Sequence, residues 1–192
     1  MYPSDGDGYE ALLRLSDIAM YHAKESGRNT ICFFDAAMNT TSQQSLQLVS
    51  ELRCAVQRNE FVLHYQPVID LDKGQLVGAE ALVRWQHPTR GLVPPNDFIP
   101  ASEKSGVIVA LGEWVLNEAC RQLAQWQSEG LGDLFVAVNL SPVQFRRGTV
   151  EEVVQNALLR SGLQAHHLEL EITESTLVHD SPQFMRSLQN LK

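Results

Sequence analysis

From residue 76 onward the sequence alternates between two periodicities, and that alternation restricts the fold more than any other feature. Strand spacing in 76–85 gives way to helical spacing from about 106 to 129, where Ile108, Leu111, Val115, Ala119, Leu123 and Trp126 share a face and Gly130 closes the helix. LFVAVNLS (134–141) reads as a strand, about 150–161 as a helix opened by Thr149 and Glu152 and closed by Gly162, and HLELEITE (167–174) as a strand. A last helix starts near Ser181. Strand–helix–strand repeats join parallel strands, so the pattern predicts βα units in a doubly wound sheet or a barrel. Only three units are present. A closed (β/α)8 barrel takes roughly 250 residues, whereas Gln43 to Lys192 supplies 150, so a barrel here is expected to be incomplete.

The residues ahead of these units read differently. FVLHYQPVI (61–69) runs through a turn at Asp72-Lys73-Gly74 straight into the strand at 76–85, with no helix between them. A helix from about Ser45 to Arg58 presents Leu48, Val49, Leu52 and Val56, and AAMNTTSQQS (36–45) suits a linker or a helix start. Loop 87–100 is rich in Pro and Gly. At the front, Asp7 and Glu10 have capping-box spacing, Leu12, Leu15, Ala19 and Ala23 recur at helical spacing, and Gly27 suits a C-cap. TICFF (30–34) follows as a short strand. One helix and one strand cannot bury a core, so residues 1–35 read as the tail of a larger domain, 36–45 as a linker, and 46–192 as the main domain.

Charge and composition exclude several classes of function. The net charge is −8 and the longest basic run is Arg146-Arg147, so a general DNA- or RNA-binding footprint is missing. An anionic ligand would need a metal ion or a few placed cations. Cys32, Cys54 and Cys120 lie far apart and read as free thiols in a reducing compartment. Nothing approaches ~18 consecutive apolar residues, and MYPSDGDGYE holds no apolar signal core. The expectation is a cytoplasmic chain with no membrane segment.

GAEALVRW (78–85) carries the chemistry. On a strand Glu80, Leu82 and Arg84 share one side while Ala81, Val83 and Trp85 share the other. A solvated edge or a structural ion pair would explain the charges of this strand alone. The next two strands, however, carry Asn139 and Glu171 near their carboxyl ends, and in parallel βα folds those ends converge on one mouth. Hard oxygen donors there suit Mg2+ or Mn2+. Arg84, about 13 Å further along the strand from Glu80, can lean over the mouth and fork onto a phosphate. Each residue also has a plainer reading. Asn139 could cap the turn at Ser141-Pro142, Glu171 could merely line the interior with Glu169 and Thr173, and Gln66 could be a satisfied interior amide rather than a mouth residue. His166 and His167 are consecutive at a strand start and are expected to point apart, so they are not read as ligands. His64 and His87 read as lining or loop residues, and Trp85, Trp114 and Trp126 as packing.

LHYQPVIDLDKGQLVGAEALVRWQHPTRG, PPNDFIPASEKSG, VNLSPVQF and LELEITES, in that order, resemble the EAL domain family across residues 46–192. Members of that family hydrolyse the bacterial second messenger cyclic di-GMP to a linear dinucleotide, pGpG. The resemblance implies an α/β fold, an incomplete modified (β/α)8 TIM-like barrel whose first strand is antiparallel to the rest. It implies that Glu80, Asn139 and Glu171 are catalytic metal ligands of a two-metal Mg2+ or Mn2+ site, that Arg84 and Gln66 bind substrate, and that Glu174 is structural. It also implies that the strand carrying the family's Asp-Asp-Phe-Gly motif, with a later lysine and further acidic residues, lies beyond Lys192. Cyclic di-GMP and a homodimer through this domain are the partners it suggests, with no nucleic acid; any membrane tether would sit in upstream domains.

YPSDGDGYEALLRLSDIAMYHAKESGRNTICFF is similar to the C-terminal tail of a GGDEF (diguanylate cyclase) domain, a helix–strand remnant in which Lys24 and Arg28 match phosphate-contacting residues and Asp17 falls in a recurrent slot. The signature that names that family is not in the chain. Two rival readings stay open: an EAL module that binds cyclic di-GMP or a protein partner without cleaving it, and an unrelated glycosidase using Glu80 and Glu171 as its acid–base pair.

Overall fold

The computed structural model describes residues 8–25, 29–147, 150–172 and 182–191. It divides into two compact units, Met1–Ser50 and Glu51–Lys192. In the first unit, helix α1 (Tyr9–Glu25) buries Leu15 and Ala19 one turn apart. The strand expected at 30–34 does not form. Residues 30–35 have no regular structure, and Ile31 and Phe33 are 85% and 69% exposed. Among the described residues no strand lies alongside to complete its backbone hydrogen bonds, which a strand cannot do without. Helix α2 (Ala36–Gln57) takes in the whole of 36–45, beginning nine residues before the expected start near Ser45. Its 22 residues contain no Gly or Pro to stop it. The division between the units falls within this helix.

The second unit is built on a mixed sheet in the order β1-β2-β4-β5, with β3 paired to the outer end of β2. Strand β1 (Phe61–Asp70) is antiparallel to β2 (Gln75–His87). Asp70 makes their joint: its Oδ1 accepts from the Asp72 and Lys73 amides at 2.9 and 3.1 Å, and Gly74 supplies the left-handed residue at φ 62°. Strand β2 runs parallel to β4 (Phe135–Leu140), and β4 to β5 (Leu168–Ile172). This is an α/β sheet of a partial TIM-like barrel, with its first strand antiparallel as expected.

The Pro-rich stretch at 87–100 is more ordered than a loop. It contains β3 (Gly91–Val93) and a 3-10 turn, Pro95–Asp97, leading to α3 (Ile99–Ser105). Gly106, at φ 82°, ends α3, so the single helix expected over 106–129 begins only at Ile108, as α4 (Ile108–Ser128). At the far end of α4 the Gly130 amide bonds the Gln127 carbonyl and the Leu131 amide reaches back to Trp126, a Schellman close around Gly130 at φ 85°. Helices α5 (Pro142–Arg147), α6 (Val150–Ser161) and α7 (Pro182–Asn190) complete the described α-helices. The Asp7, Gly27 and Thr149 caps and the segment 173–181 lie outside the described residues.

Strand alternation sorts the sheet into two chemically different sides. Ala81, Trp85, Val136, Val138 and Leu140 turn toward the helices and are buried, with Val136 and Val138 fully so. Against them α4 sets Leu111, Leu116, Ala119 and Leu123, all 0–1% exposed. Trp85 donates to Glu60 Oε2 at 3.0 Å and packs against Phe61 and Phe98. Trp126 meets the Tyr65 ring edge-on at 4.7 Å. The tryptophans are packing residues, as their spacing suggested. Burial pushes the Cys120 thiol up to about 11, which makes it an inert core residue.

Candidate active site

The other side of the sheet carries the polar residues, and the register fixes their layers. Gln66 lies directly across from Glu80, and Glu80 is level with Ala137 on the parallel neighbour. One step higher, Asn139 is level with Glu171, and above that stands Arg84. The floor is shaped by Gly78, where a Cβ would come within 2.7 Å of the Phe135 ring; only a glycine lets that ring lie across β2 beneath Glu80.

Asn139 Nδ2 donates to Glu80 Oε1 at 2.7 Å. This contact joins two of the expected residues and leaves the Asn139 carbonyl oxygen and the second Glu80 oxygen free of each other. Glu171, beside Asn139, has its pKa raised, first by desolvation, then by the charge of Glu80, and third by Glu169. The structure therefore brings Glu80, Asn139 and Glu171 to one mouth. The turn that Asn139 might have capped is held by other groups. Ser141 Oγ accepts from the Val143 amide at 3.2 Å, and Gln144 Oε1 accepts from the Ser141 amide at 2.8 Å. Arg84 donates Nη1 to the Val83 carbonyl at 2.8 Å, and among the described residues no carboxylate pairs with it, so it is not the structural ion pair that its strand alone would allow.

Beside the mouth is a cleft of about 260 Å3, lined by Leu82, Pro95, Ile99, Glu103, Asn139 and Ser141 among others. Glu103 was not singled out in the sequence, yet its Oε1 accepts from Ser141 Oγ at 2.6 Å. Gln144 was also passed over, and its amide packs so closely on Gly112 that a Cβ there would collide with it. The only signal for either was a polar residue at a position facing a neighbouring helix, which a single sequence does not distinguish from a solvated one. Lys24 is exposed in the last turn of α1. Arg28 and Glu174 lie outside the described residues.

His166 and His167 do not point apart. They sit in a 3-10 turn, Ala165–His167, with ring centroids 4.0 Å apart. With Asp133 they form a group whose donor atoms all lie within 4.8 Å, close enough to hold a metal ion.

One face of a mixed α/β sheet thus gathers two carboxylates and an amide, donor types that suit a hard divalent cation. The chain belongs to the EAL domain family, which matches residues 49–192. It is 48% identical over 191 residues to the bifunctional diguanylate cyclase/cyclic di-GMP phosphodiesterase MucR of Pseudomonas aeruginosa, covering 100% of this chain and 28% of that protein. It is 40% identical over 192 residues to the cyclic di-GMP phosphodiesterase NbdA of the same organism, covering 100% of this chain and 23% of NbdA. The chain thus spans about a quarter of these relatives. Among solved structures, a MucR phosphodiesterase in complex with c-di-GMP is similar at 48% identity and a TM-score of 0.71, over 76% of this chain and 59% of that one. The EAL enzyme Bd1971 with cAMP and cyclic di-GMP bound is similar at 26% identity and 0.73, over 98% and 49%. No helix among the described residues is long and apolar enough to cross a membrane.

Proposed function

We propose that this chain contributes part of the active site of a cyclic di-GMP phosphodiesterase that releases linear pGpG. The observation that supports this reading best is the 2.7 Å contact between Asn139 and Glu80 in one mouth with Glu171, in a chain 40–48% identical to proteins named for that activity. The donors are carboxylate and amide oxygens, the set that Mg2+ and Mn2+ prefer. Glu80, Asn139 and Glu171 would hold such ions. When bound, the ions polarise the phosphoryl oxygen and lower the pKa of a coordinated water.

The chain's own residues do the rest. Asn139 spends its amide N–H on Glu80, which fixes both side chains and keeps the Asn139 carbonyl oxygen available as a donor to a cation. Arg84, with no carboxylate partner among the described residues, keeps its guanidinium available for a substrate phosphate. Gln66, across from Glu80, offers an amide to the same ligand. Residues 1–35 belong to this proposal as the tail of a GGDEF domain, with Lys24 and Arg28 as phosphate contacts. Its support is that the alignment with a bifunctional cyclase/phosphodiesterase runs through the whole chain. Cytoplasmic residence and a homodimer through the EAL domain belong to it too.

The test is turnover of cyclic di-GMP with MnCl2 by the protein that contains this chain. Glu80→Ala is expected to abolish product, and Arg84→Ala to raise KM. Cyclic di-GMP bound by the unmodified protein with no pGpG released would overturn the enzymatic reading in favour of a binding module. Full turnover by Glu80→Ala would overturn the assignment of the ligands.

A further inference from the structure

Asp133, His166 and His167 lie at the other end of the sheet, just before the first residues of β4 and β5, whereas Asn139 and Glu171 stand toward the opposite ends of those strands. Nothing in the proposed chemistry uses them. His167 is buried and its Nδ1 is 2.9 Å from the Leu134 carbonyl oxygen. The same nitrogen is 3.4 Å from Asp133 Oδ1, which is 4.0 Å from His166 Nε2. The Gln127 amide nitrogen is 3.2 Å from Nδ1 and 3.3 Å from Nε2 of His167. A group equidistant from both ring nitrogens lies over the ring face, so it covers the imidazole without occupying the in-plane direction at Nδ1.

We infer that Asp133 Oδ1, His166 Nε2, His167 Nδ1 and the Leu134 carbonyl oxygen form a site for a borderline divalent cation of the Zn2+ or Ni2+ class, separate from the mouth. Donors at 2.0–2.1 Å from a tetrahedral ion are about 3.3 Å from one another. The separations of 2.9, 3.4 and 4.0 Å bracket that value, so rotation of the exposed His166 and Asp133 side chains completes the arrangement. Two imidazoles select against Mg2+, which prefers oxygen donors. With no ion bound, the Nδ1 N–H of His167 donates to the Leu134 carbonyl oxygen. Binding an ion through Nδ1 moves the ring proton to Nε2, so the imidazole stays neutral and changes tautomer. The ion would tie the turn before β4 to the turn before β5, which makes it a staple for that strand pair rather than a participant in hydrolysis.

The experiment is calorimetric titration of metal-stripped protein with ZnCl2 in the presence of excess MgCl2. One Zn2+ bound per chain is expected. His166→Ala and Asp133→Asn should each weaken binding about 10-fold or more. Both side chains are largely exposed, at 61% and 84%, so the variants fold, and unchanged circular dichroism checks that. Zn2+ uptake in both variants equal to that of the unsubstituted protein would place the ion elsewhere, on the cysteines for instance, and overturn the inference. So would no uptake at all under excess Mg2+. Neither outcome bears on the phosphodiesterase reading, which needs only the mouth.

Discussion

Glu171 shows how the mouth acts on a single side chain. Its proton is held by desolvation and by the neighbouring negative charges of Glu80 and Glu169, so it titrates above the ordinary carboxylate range. Replacing Glu80 by Gln removes one of those charges while keeping the shape. The Glu171 pKa is then expected to fall toward its ordinary value, read by carbon-detected NMR titration of the carboxyl group; an unchanged value would mean that the two carboxylates do not share a site. Gly78 is tested by size. Gly78→Ala sets a Cβ 2.7 Å from the Phe135 ring, and overpacking of this kind costs about 1–3 kcal/mol, to be measured as a lowered urea midpoint. A midpoint equal to that of the unsubstituted protein would show that the ring moves aside freely. At this scale the sequence was most readable where a polar residue interrupts an apolar strand. Glu80, Asn139 and Glu171 stand out against Ala81, Val138 and Leu170. Glu103 does not, because a glutamate between a serine and a lysine in a short helix looks like any solvated charge until Ser141 is seen against it.

Elements are held to the mouth by contacts between helices and strand ends. Glu103 on α3, Ser141 after β4 and Gln144 on α5 form one chain of hydrogen bonds that begins two residues beyond Asn139. If Asn139 holds a cation as proposed, Glu103→Ala, which frees the Ser141 turn two residues beyond it, is expected to raise the Mn2+ concentration needed for half-maximal turnover about 10-fold, while KM at saturating metal stays the same. A change in KM alone would point to substrate contact instead. Farther along, the Glu151 carboxyl in the first turn of α6 is held below its usual range by a hydrogen bond to Ser187 on α7, helped by its own amide and by Asn190 and opposed by desolvation. A depressed carboxylate pKa adds stability above its ordinary value and loses it as the pH falls through the depressed one. Protection factors of the α7 amides, corrected for the intrinsic exchange rate, should therefore fall in acid, and Glu151→Gln should remove that dependence; identical profiles would leave Glu151 with no part in docking α7. Element types were readable from periodicity, but their ends were not. Gly106 divides what the apolar pattern joins, and α2 overruns a polar stretch that lacks any residue to stop it.

For the whole molecule, burial separates the two units. Among the described residues of Met1–Ser50 only Leu15 and Ala19 are buried, whereas in the second unit β4 is fully enclosed at Val136 and Val138. Backbone amides in α1 are expected to exchange with solvent much faster than those of β4 in a hydrogen-exchange measurement; equal protection would mean that the first unit has stability its own packing does not supply. The fold of the second unit was readable because each strand–helix alternation is a local signal whose consequence, a parallel sheet, is global. The strand expected at 30–34 failed for the complementary reason: TICFF has the composition of a strand, but a strand exists only with a neighbour, and no local pattern shows whether one is there.

The antiparallel β1 has a consequence for how this scaffold can be altered. Because β1 and β2 run in opposite directions, their shared turn falls at the end of the sheet away from Asn139 and Arg84. That turn is closed by its own Asp70 and Gly74, and Leu71 at its tip is 94% exposed. A peptide tag or a small reporter domain spliced in at Asp72-Lys73 would therefore sit away from the mouth, at the opposite end of the sheet.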